Sequence, residues 1–361
     1  MNNLKKTIIL CFVLFSCFIG AKADVEINET TFPDEKFRNW VLSKSYGEDG
    51  VLTDEEISGI KKIIVSKNGV HSLKGIEYFT ELTYLYCSAI QLEELDVSRC
   101  TKLEELDCVG NQLTSLDVSQ NTKLTTLYCK ENQLTSLDVS QNTALKILQC
   151  DSNPLTSIDV SKNTALETLL CKDIQFTELD VSKNVELKWL VCNNNQLTKL
   201  DVTNLTKLED LRCLQNRLER IIVSGCDNLS AIFCHNNQIK GEAIDELIEG
   251  LPFKPGERGL LCIVNTEDEQ NVMTKAQVAA AKAKGWIPCY KYGTFGEYDY
   301  PDYEGIDEAT NIGATLNDKG QMTNDGWYDL QGRKIGSGKS FPLKGARGSG
   351  IYIEGGKKKV K

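Results

Sequence analysis

The sequence predicts an α/β solenoid in which short coils stack along one parallel β-sheet. Eight cysteines recur at one constant interval, at positions 87, 108, 129, 150, 171, 192, 213 and 234. Leucines keep fixed places around them in the phrase L-x-x-L-x-C-x-x-N-x-L, and asparagine fills its slot at 111, 132, 153, 195, 216 and 237. A period of about 20 to 50 residues is typical of repeat architectures whose neighbouring units bury one continuous core.

Each part of the phrase predicts a local structure. The second leucine and the cysteine alternate with outward positions, so this part is predicted to be a strand with one buried face. The asparagine amide can bond turn backbone that would otherwise be buried without a partner. Ile90 and Ile174 replace it in two copies, whose turns are expected to be looser or packed differently. The second half, as in Leu116–Val118, alternates again and predicts an extended stretch.

This phrase resembles the leucine-rich repeat, in particular the cysteine-containing, internalin-like subclass with short units. An earlier copy starts at Ile60 and has Val65 in the cysteine slot, so nine coils are predicted over residues 60–240. The resemblance implies a rod whose exposed strand face binds partner molecules.

Both ends of a solenoid need caps, because terminal coils otherwise expose their core. Residues 24–59 predict a helical N-terminal cap whose second helix starts at Thr53, a good N-cap with glutamate three positions later. Residues 241–292 predict an α/β C-terminal cap, which resembles the closing unit of related exported repeat proteins. Its expected strands are Leu260–Val264 and Trp286–Tyr290.

The N-terminus is typical of an exported protein. Two lysines precede an apolar run over residues 8–19, and Ala21-Lys22-Ala23 fits a cleavage site, so residues 1–23 are predicted to be a signal peptide. A lipoprotein signal at Cys17 is the alternative. The run is too short for a comfortable membrane span, and no later segment has about 18 consecutive apolar residues. The expected location is the cell surface or the medium.

The C-terminal part changes character. Residues 293–324 are rich in glycine, aspartate and tyrosine and predict a linker. Residues 325–361 have strand-like pieces between glycine-rich turns and a lysine-rich end. This tail resembles the C-terminal sorting domain of type IX secretion in Bacteroidetes-type bacteria, which implies delivery to the cell surface or medium. A small β-hairpin without a sorting role is the alternative.

The cysteine column admits three interpretations. Structural zinc sites use close pairs such as C-x2-C, which the wide spacing of the column does not provide. Disulfides between coils are near enough in Cα distance, but parallel side-chain vectors suit the required dihedral angle poorly. Buried thiols acting as small hydrophobic residues are the favoured interpretation. Cys100 and Cys226 occupy another slot of the repeat, and Cys262 with Cys289 leaves room for a disulfide in the C-terminal cap.

Two sets of carboxylates invite a metal interpretation. The stretch from Ser45 to Glu56 resembles an EF-hand loop, but Ser45 and Gly47 stand where oxygen-rich ligands belong, so a structural cap is favoured over calcium. Six aspartates recur at 96, 117, 138, 159, 180 and 201. Aspartate before serine or threonine more often bonds turn backbone than a cation, and we predict that role. No metal or cofactor is expected.

Catalysis is not expected. The chain has two histidines, His71 and His235, and neither has a serine or cysteine partner at a recognisable spacing. We interpret His235 as occupying an exposed slot after a strand. The sequence also lacks a glycine-rich phosphate loop.

Aromatic and aliphatic side chains occupy outward positions of the predicted strands, where solvated strands ordinarily carry small polar or charged residues. We predict that these residues bind a partner: Tyr84, Tyr86, Tyr128, Ile147, Leu170, Trp189, Val191, Arg212, Leu214 and Phe233. Contiguous exposed apolar surface is typical of interaction sites, with tryptophan and tyrosine as common anchors. Scattered tolerated apolar residues, or packing against the tail, are the alternative.

The expected ligand is a protein on the concave strand face, for adhesion or host interaction. A glycan stacked on Trp189 and the tyrosines is the alternative. The net charge of −10 argues against a nucleic acid partner, because phosphate binding needs clustered lysine and arginine. The protein is expected to be a monomer.

Overall fold

The computed structural model describes residues 24–66, 69–254, 256, 258–265, 269–291 and 302–306, together with four strands between residues 326 and 360. The predicted signal peptide and most of the predicted linker lie outside the described residues. The chain divides into two compact units, residues 1–166 and 167–361.

The first unit begins with a small cap. Strand β1 (Val25–Glu26) pairs antiparallel with β2 (Val51–Leu52), and helices α1 (Glu35–Leu42) and α2 (Asp54–Gly59) lie beside them. Asp34 is the N-cap of α1, since its Oδ1 accepts from Phe37 N at 2.8 Å. Its Oδ2 accepts from the backbone nitrogens of residues 71 and 72 at 2.9 and 3.1 Å, which ties the cap to the first coil.

Five parallel strands follow in the first unit, one per coil. Their central residues are fully buried, whereas the outer two residues of each strand face away from the core. The strands pair in register without shifts. They are β3 (Lys62–Ile64), β4 (Tyr84–Tyr86), β5 (Glu105–Asp107), β6 (Thr126–Tyr128) and β7 (Ile147–Gln149).

The second unit repeats this arrangement and then changes into its cap. A parallel sheet has the order β15-β14-β13-β11-β9-β8, and β10 pairs with β12 in a second small sheet. The extended stretch predicted in the second half of each copy therefore forms paired strands in two coils of this unit. The strands are β8 (Thr168–Leu170), β9 (Trp189–Val191), β10 (Lys199–Asp201), β11 (Asp210–Arg212), β12 (Arg220–Ile222), β13 (Ala231–Phe233), β14 (Gly259–Asn265) and β15 (Trp286–Lys291).

Asparagines of the repeat phrase connect successive coils. Asn132 Nδ2 donates to Cys108 O and Cys129 O, both at 3.0 Å. Its Oδ1 accepts from Leu113 N at 3.1 Å. The same pattern, which we call the asparagine ladder, recurs at the other predicted positions of the slot. The predicted role of this residue is confirmed.

The two copies that lack this asparagine differ from each other. Ile90 and Ile174 are buried, at 3% and 6% exposure. In both, the preceding residue keeps the left-handed backbone found at the equivalent position of other copies, such as Glu131 and Ser152, with φ of 55° at Ala89 and 56° at Asp173. In the first copy Gln91 is also left-handed, with φ of 64°, so only this turn is clearly rearranged.

A second ladder of buried asparagines occupies the repeat position that Cys100 holds in its own coil. It begins one period later, at Asn121. Asn121 Nδ2 donates to Val97 O and Cys100 O at 3.0 and 2.9 Å. Asn142 and Asn163 repeat these bonds one and two coils later. These buried asparagines were not among the residues that the sequence analysis identified.

The C-terminal cap consists of α3 (Glu242–Gly250), β14, α4 (Lys275–Ala283) and β15. Trp286 is fully buried and donates from Nε1 to Pro252 O at 2.8 Å. A Cβ on Gly259 would lie 2.5 Å from the Trp286 ring, so only glycine fits there. The cap also includes residues 302–306, because Tyr303 is 7% exposed and donates from N to Pro288 O at 2.8 Å. The linker predicted over residues 293–324 does not hold for this segment.

The tail forms two antiparallel hairpins. Strand β16 (Gly326–Tyr328) pairs with β17 (Lys334–Ser337), and β18 (Ile351–Glu354) pairs with β19 (Lys357–Val360). The predicted small β tail is therefore present.

Replacing Asn132 by alanine is expected to lower the free energy of unfolding by about 3 kcal/mol, because buried carbonyl and amide groups of two coils lose their partners. Urea denaturation followed by circular dichroism measures the change. Gln133→Ala, at the exposed neighbouring position, is the control and should be nearly neutral. Equal stability of the two variants would contradict a role for the ladder.

Candidate binding surface on the parallel sheet

The cysteine column is part of the core. All eight members are fully buried. Cys87 Sγ and Cys108 Sγ each lie 3.4 Å from a backbone carbonyl oxygen of the next coil, at Asp107 and Tyr128. Burial raises the pKa of Cys108 and Cys192 to about 12. These thiols therefore act as small hydrophobic residues with one weak donor.

The structure corrects two interpretations of His235. This residue is 2% exposed, not in an exposed slot, and its Nδ1 lies 3.4 Å from Cys262 Sγ. A histidine–cysteine contact that the sequence analysis excluded is therefore present. Cys262 is itself fully buried, so substrate has no access to the pair. Cys262 and Cys289 face each other in register on β14 and β15 as thiols.

The six recurring aspartates bond turn backbone, as predicted. Each accepts from the backbone nitrogen two residues later, at 2.8 to 3.1 Å. In the first five the donor is serine, and at Asp201 it is Thr203. Hydrogen bonds from Ser119 hold the pKa of Asp117 below its ordinary value.

The carboxylates of the EF-hand-like loop also serve the local fold. Glu56 Oε2 accepts from Thr53 N at 2.9 Å and Thr53 Oγ1 accepts from Glu56 N at 3.3 Å, which forms a capping box. Asp49 Oδ1 accepts from Val51 N at 3.1 Å. Across the described parts of the chain, no cluster of histidine, cysteine, aspartate and glutamate has an arrangement that could hold a metal ion.

In the first unit, the outward sheet positions combine aromatic rings with charge. Tyr84, Tyr86, Tyr128 and Ile147 are half-buried. Lys62 Nζ lies 4.7 Å from the ring centroid of Tyr86 and 6.0 Å from that of Tyr84. The sequence analysis did not include Lys62, although it occupies the slot of Tyr84 in the preceding copy of the repeat.

Isoleucine 64, at the end of β3, also belongs to this face. Ile64 is 51% exposed and aligns with Tyr86 on the neighbouring strand. An exposed aliphatic residue beside a half-buried tyrosine extends the apolar part of the surface.

In the second unit, the outward positions are largely apolar. Trp189 is 44% exposed, which is high for so large an apolar side chain. Leu170 and Val191 align on β8 and β9 and are half-buried. Together they form an exposed apolar patch that begins at the tryptophan.

Arg212 and Phe233 continue this surface on β11 and β13. The Arg212 guanidinium carbon lies 4.9 Å from the Phe233 ring centroid. Both oxygens of Asp210 accept from the guanidinium at 2.9 Å, which fixes its position beside the ring. Leu214 is half-buried just beyond β11.

A polar groove lies elsewhere on the first unit. Its lining includes Gln91, Gln112 and Gln133, which recur once per coil, together with His71 and Glu94. The glutamines are exposed and follow the asparagine slot by one position. The groove is open and polar, so it lacks the apolar anchors seen on the sheet.

Comparison with known proteins supports the fold. The sequence model for leucine-rich repeats, in two copies, matches residues 101–142. The chain is similar to the functional domain of InlJ from Listeria monocytogenes, which includes a cysteine ladder. That match has 29% identity, a TM-score of 0.56, and covers 70% of this chain and 61% of that chain. This protein therefore contains leucine-rich repeats and has an internalin-like leucine-rich repeat fold.

Two further solved structures have lower similarity. A leucine-rich repeat protein of Leptospira interrogans has 22% identity and a TM-score of 0.46, covering 54% of this chain and 60% of that chain. Internalin C2 from Listeria monocytogenes has 23% identity and a TM-score of 0.44, covering 62% of this chain and 92% of that chain. The comparison with curated proteins gives no match.

No helix within the described residues has both the length and the apolar character that crossing a membrane requires.

The thiols of the column are expected to resist Ellman's reagent in the native protein at pH 8, while urea-unfolded protein reacts fully. In the unfolded protein the thiols have ordinary pKa values of about 8.5, whereas the buried thiols of the folded protein remain protonated at pH 8. The folded form keeps protons that the unfolded form releases, so stability should also fall as pH rises from about 9 towards 12. Rapid reaction of most of the column at pH 8 would overturn this interpretation.

Proposed function

We propose that this chain is an exported, non-enzymatic protein that binds a protein partner through the outward face of its parallel sheet, in adhesion or host interaction. The observation that supports this proposal most directly is Trp189, which is 44% exposed beside the aligned pair Leu170 and Val191. An indole in an apolar surrounding is a common energetic centre of protein interfaces.

The partner is inferred to be a protein because of the neighbours of the tryptophan. Leu170 and Val191 offer apolar surface, which gains free energy when a complementary apolar surface removes it from water. Arg212 is fixed by Asp210 next to Phe233, so it is ordered in advance of binding. Reduced loss of side-chain freedom favours association. This mixture of an apolar centre and an ordered arginine suits a protein interface.

The cysteines and aspartates of the repeat have structural roles, and this also supports a binding role for the outward sheet positions. The cysteine column is buried, and the aspartates of the repeat bond serine or threonine nitrogens. The outward sheet positions, by contrast, are not needed to close the coil. Substituting them changes the surface and leaves the repeated core intact.

A glycan ligand is the alternative, and the first unit gives a specific reason to test it. Tyr84, Tyr86 and Tyr128 are half-buried rings near the polar side chains of Glu105 and Thr126. Rings bordered by hydrogen-bonding groups can stack on sugars. The aliphatic neighbours of Trp189 favour protein instead.

The tryptophan is expected to dominate partner binding. In a pull-down from host extracts followed by titration of the captured protein, Trp189→Ala should weaken binding at least tenfold, because it removes the largest exposed apolar side chain of the patch. Val185→Ala is the matched control, since Val185 is 49% exposed in the same coil but lies outside the sheet. Equal binding by both variants would contradict the proposed surface. A glycan array with the same variants would identify a glycan ligand.

Export is proposed from residues 1–23, which precede the described residues. The mature protein is expected to begin at Asp24, because signal peptidase cleaves after small residues such as those of Ala21-Lys22-Ala23. Intact mass spectrometry of protein recovered from the producing cells measures this. A mass that retains the predicted signal peptide, or that includes lipid on Cys17, would contradict it. The same spectrum shows whether residues 325–361, proposed as a sorting signal, are removed.

A further inference from the structure

We propose that the first unit binds a basic side chain of the protein partner, best an arginine, between Tyr86 and Tyr128 and above Asp107. This inference rests on the proposed function and specifies the chemistry of the partner. We call these three residues the tyrosine–aspartate site.

The register of the sheet places the three residues in one row. Tyr86 aligns with Asp107, and Asp107 aligns with Tyr128. The residues before them on the strands, Leu85, Leu106 and Leu127, are fully buried. Because side chains alternate along a strand, the row must face outward. Tyr86 and Tyr128 lie two strands apart, a distance of roughly 10 Å. This distance leaves room for one planar group between the two rings.

Charge favours a cation in this row. The six outward residues of β4, β5 and β6 comprise three tyrosines, one threonine and two carboxylates, Glu105 and Asp107. Burial, followed by a hydrogen bond to Glu105, raises the pKa of Tyr86 to about 12. Burial and then the charges of Glu105 and Asp107 raise the pKa of Tyr128. Both hydroxyls therefore stay protonated, and the carboxylates supply the negative potential.

Asp107 has one oxygen available for a ligand. Its Oδ1 accepts from Val109 N at 3.2 Å and from Ser88 Oγ. Its Oδ2 makes no hydrogen bond within the described part of the chain. An apolar group or a neutral sugar covering this carboxylate would leave a charge desolvated and unpaired, which is costly. A guanidinium would pair with it instead.

The protein already shows that these rings attract cations. Lys62 is an exposed residue, and its Nζ lies 4.7 Å from the Tyr86 ring centroid. Arginine suits the space between two rings better than lysine, because its planar guanidinium stacks on aromatic faces and donates two parallel hydrogen bonds to one carboxylate.

The test uses N-acetyl-arginine amide as the probe and NMR spectra of the full chain with labelled tyrosine rings. The ring signals of Tyr86 and Tyr128 should shift and saturate, and the indole signal of Trp189, followed in a second sample with labelled tryptophan, should not respond. The neutral isostere N-acetyl-citrulline amide should leave the rings unchanged. Asp107→Asn should weaken arginine binding at least fivefold, because it removes the charge while its Oδ1 can still accept from Val109 and Ser88.

The outcomes separate this inference from the proposed function. Equal shifts with the citrulline probe, or unchanged affinity in Asp107→Asn, would overturn the arginine site. Tyr128→Ala provides a second variant, expected to weaken the probe by a similar factor through loss of one stacking face. If a captured partner depends on Trp189 but binds equally to Asp107→Asn, the arginine inference fails and the proposed function stands. If the probe binds but Trp189→Ala has no effect on partner binding, the arginine site remains and the role of the tryptophan patch is wrong.

Discussion

Hydrogen bonding between coils through buried asparagine amides is the constraint on which the rest of this structure depends. So short a coil has to turn several times around a narrow interior, and each turn leaves backbone groups out of reach of water. Asn132 meets this demand for two coils at once, with three carbonyl oxygens and one amide nitrogen as its partners.

At the Ile90 copy, Asn111 of the next coil keeps the regular ladder bonds, since it donates to Cys87 O at 2.9 Å and accepts from Leu92 N at 3.0 Å. It also accepts from Ile90 N at 3.2 Å, a bond added at this copy. At the other end, Asn271 of the cap donates to Cys234 O and accepts from Ile239 N, both at 2.8 Å. The ladder therefore extends into a segment that has no repeat, and the cap closes the core by polar as well as apolar contacts.

The narrow interior also explains the cysteines. The column cysteine of a coil packs among leucines. Its Sγ also lies close to a backbone carbonyl oxygen of the next coil, at 3.4 Å for Cys87 and Cys108. A larger side chain would press against the adjacent coil, whereas a thiol fits and retains a weak donor. Cys226 occupies the slot of the second ladder, and its Sγ lies 3.0 Å from Val202 O of the preceding coil, the contact that Asn121 makes with Val97 O.

Most of the fold follows from periodicity, because the period determines which side chains face inward. The strands, the turn asparagines and the aspartate turns are therefore predictable from one copy of the phrase. The departures arise where the period ends. His235 occupies a slot that is half-buried in most earlier coils and buried at Asp151. In the coil of His235 the cap covers this slot, and Glu269 of the cap accepts from Asn236 N at 2.8 Å. Tyr303 is buried by packing on β15, a contact that no local pattern in a glycine-rich stretch indicates.

Outward sheet positions differ from inward ones, and this difference is the reason that the proposed function is assigned to them. The central residue of each strand is leucine or isoleucine in every coil, since a change there disturbs two neighbours. The outward positions have no such restriction, and the two units use them differently. The first carries tyrosines with carboxylates, and the second carries Trp189 with aliphatic residues and an arginine held by Asp210. Substitutions in these rows leave the buried core of the coil unchanged, so under the proposed function the chemistry of the rows, more than the repeat itself, sets which partner binds.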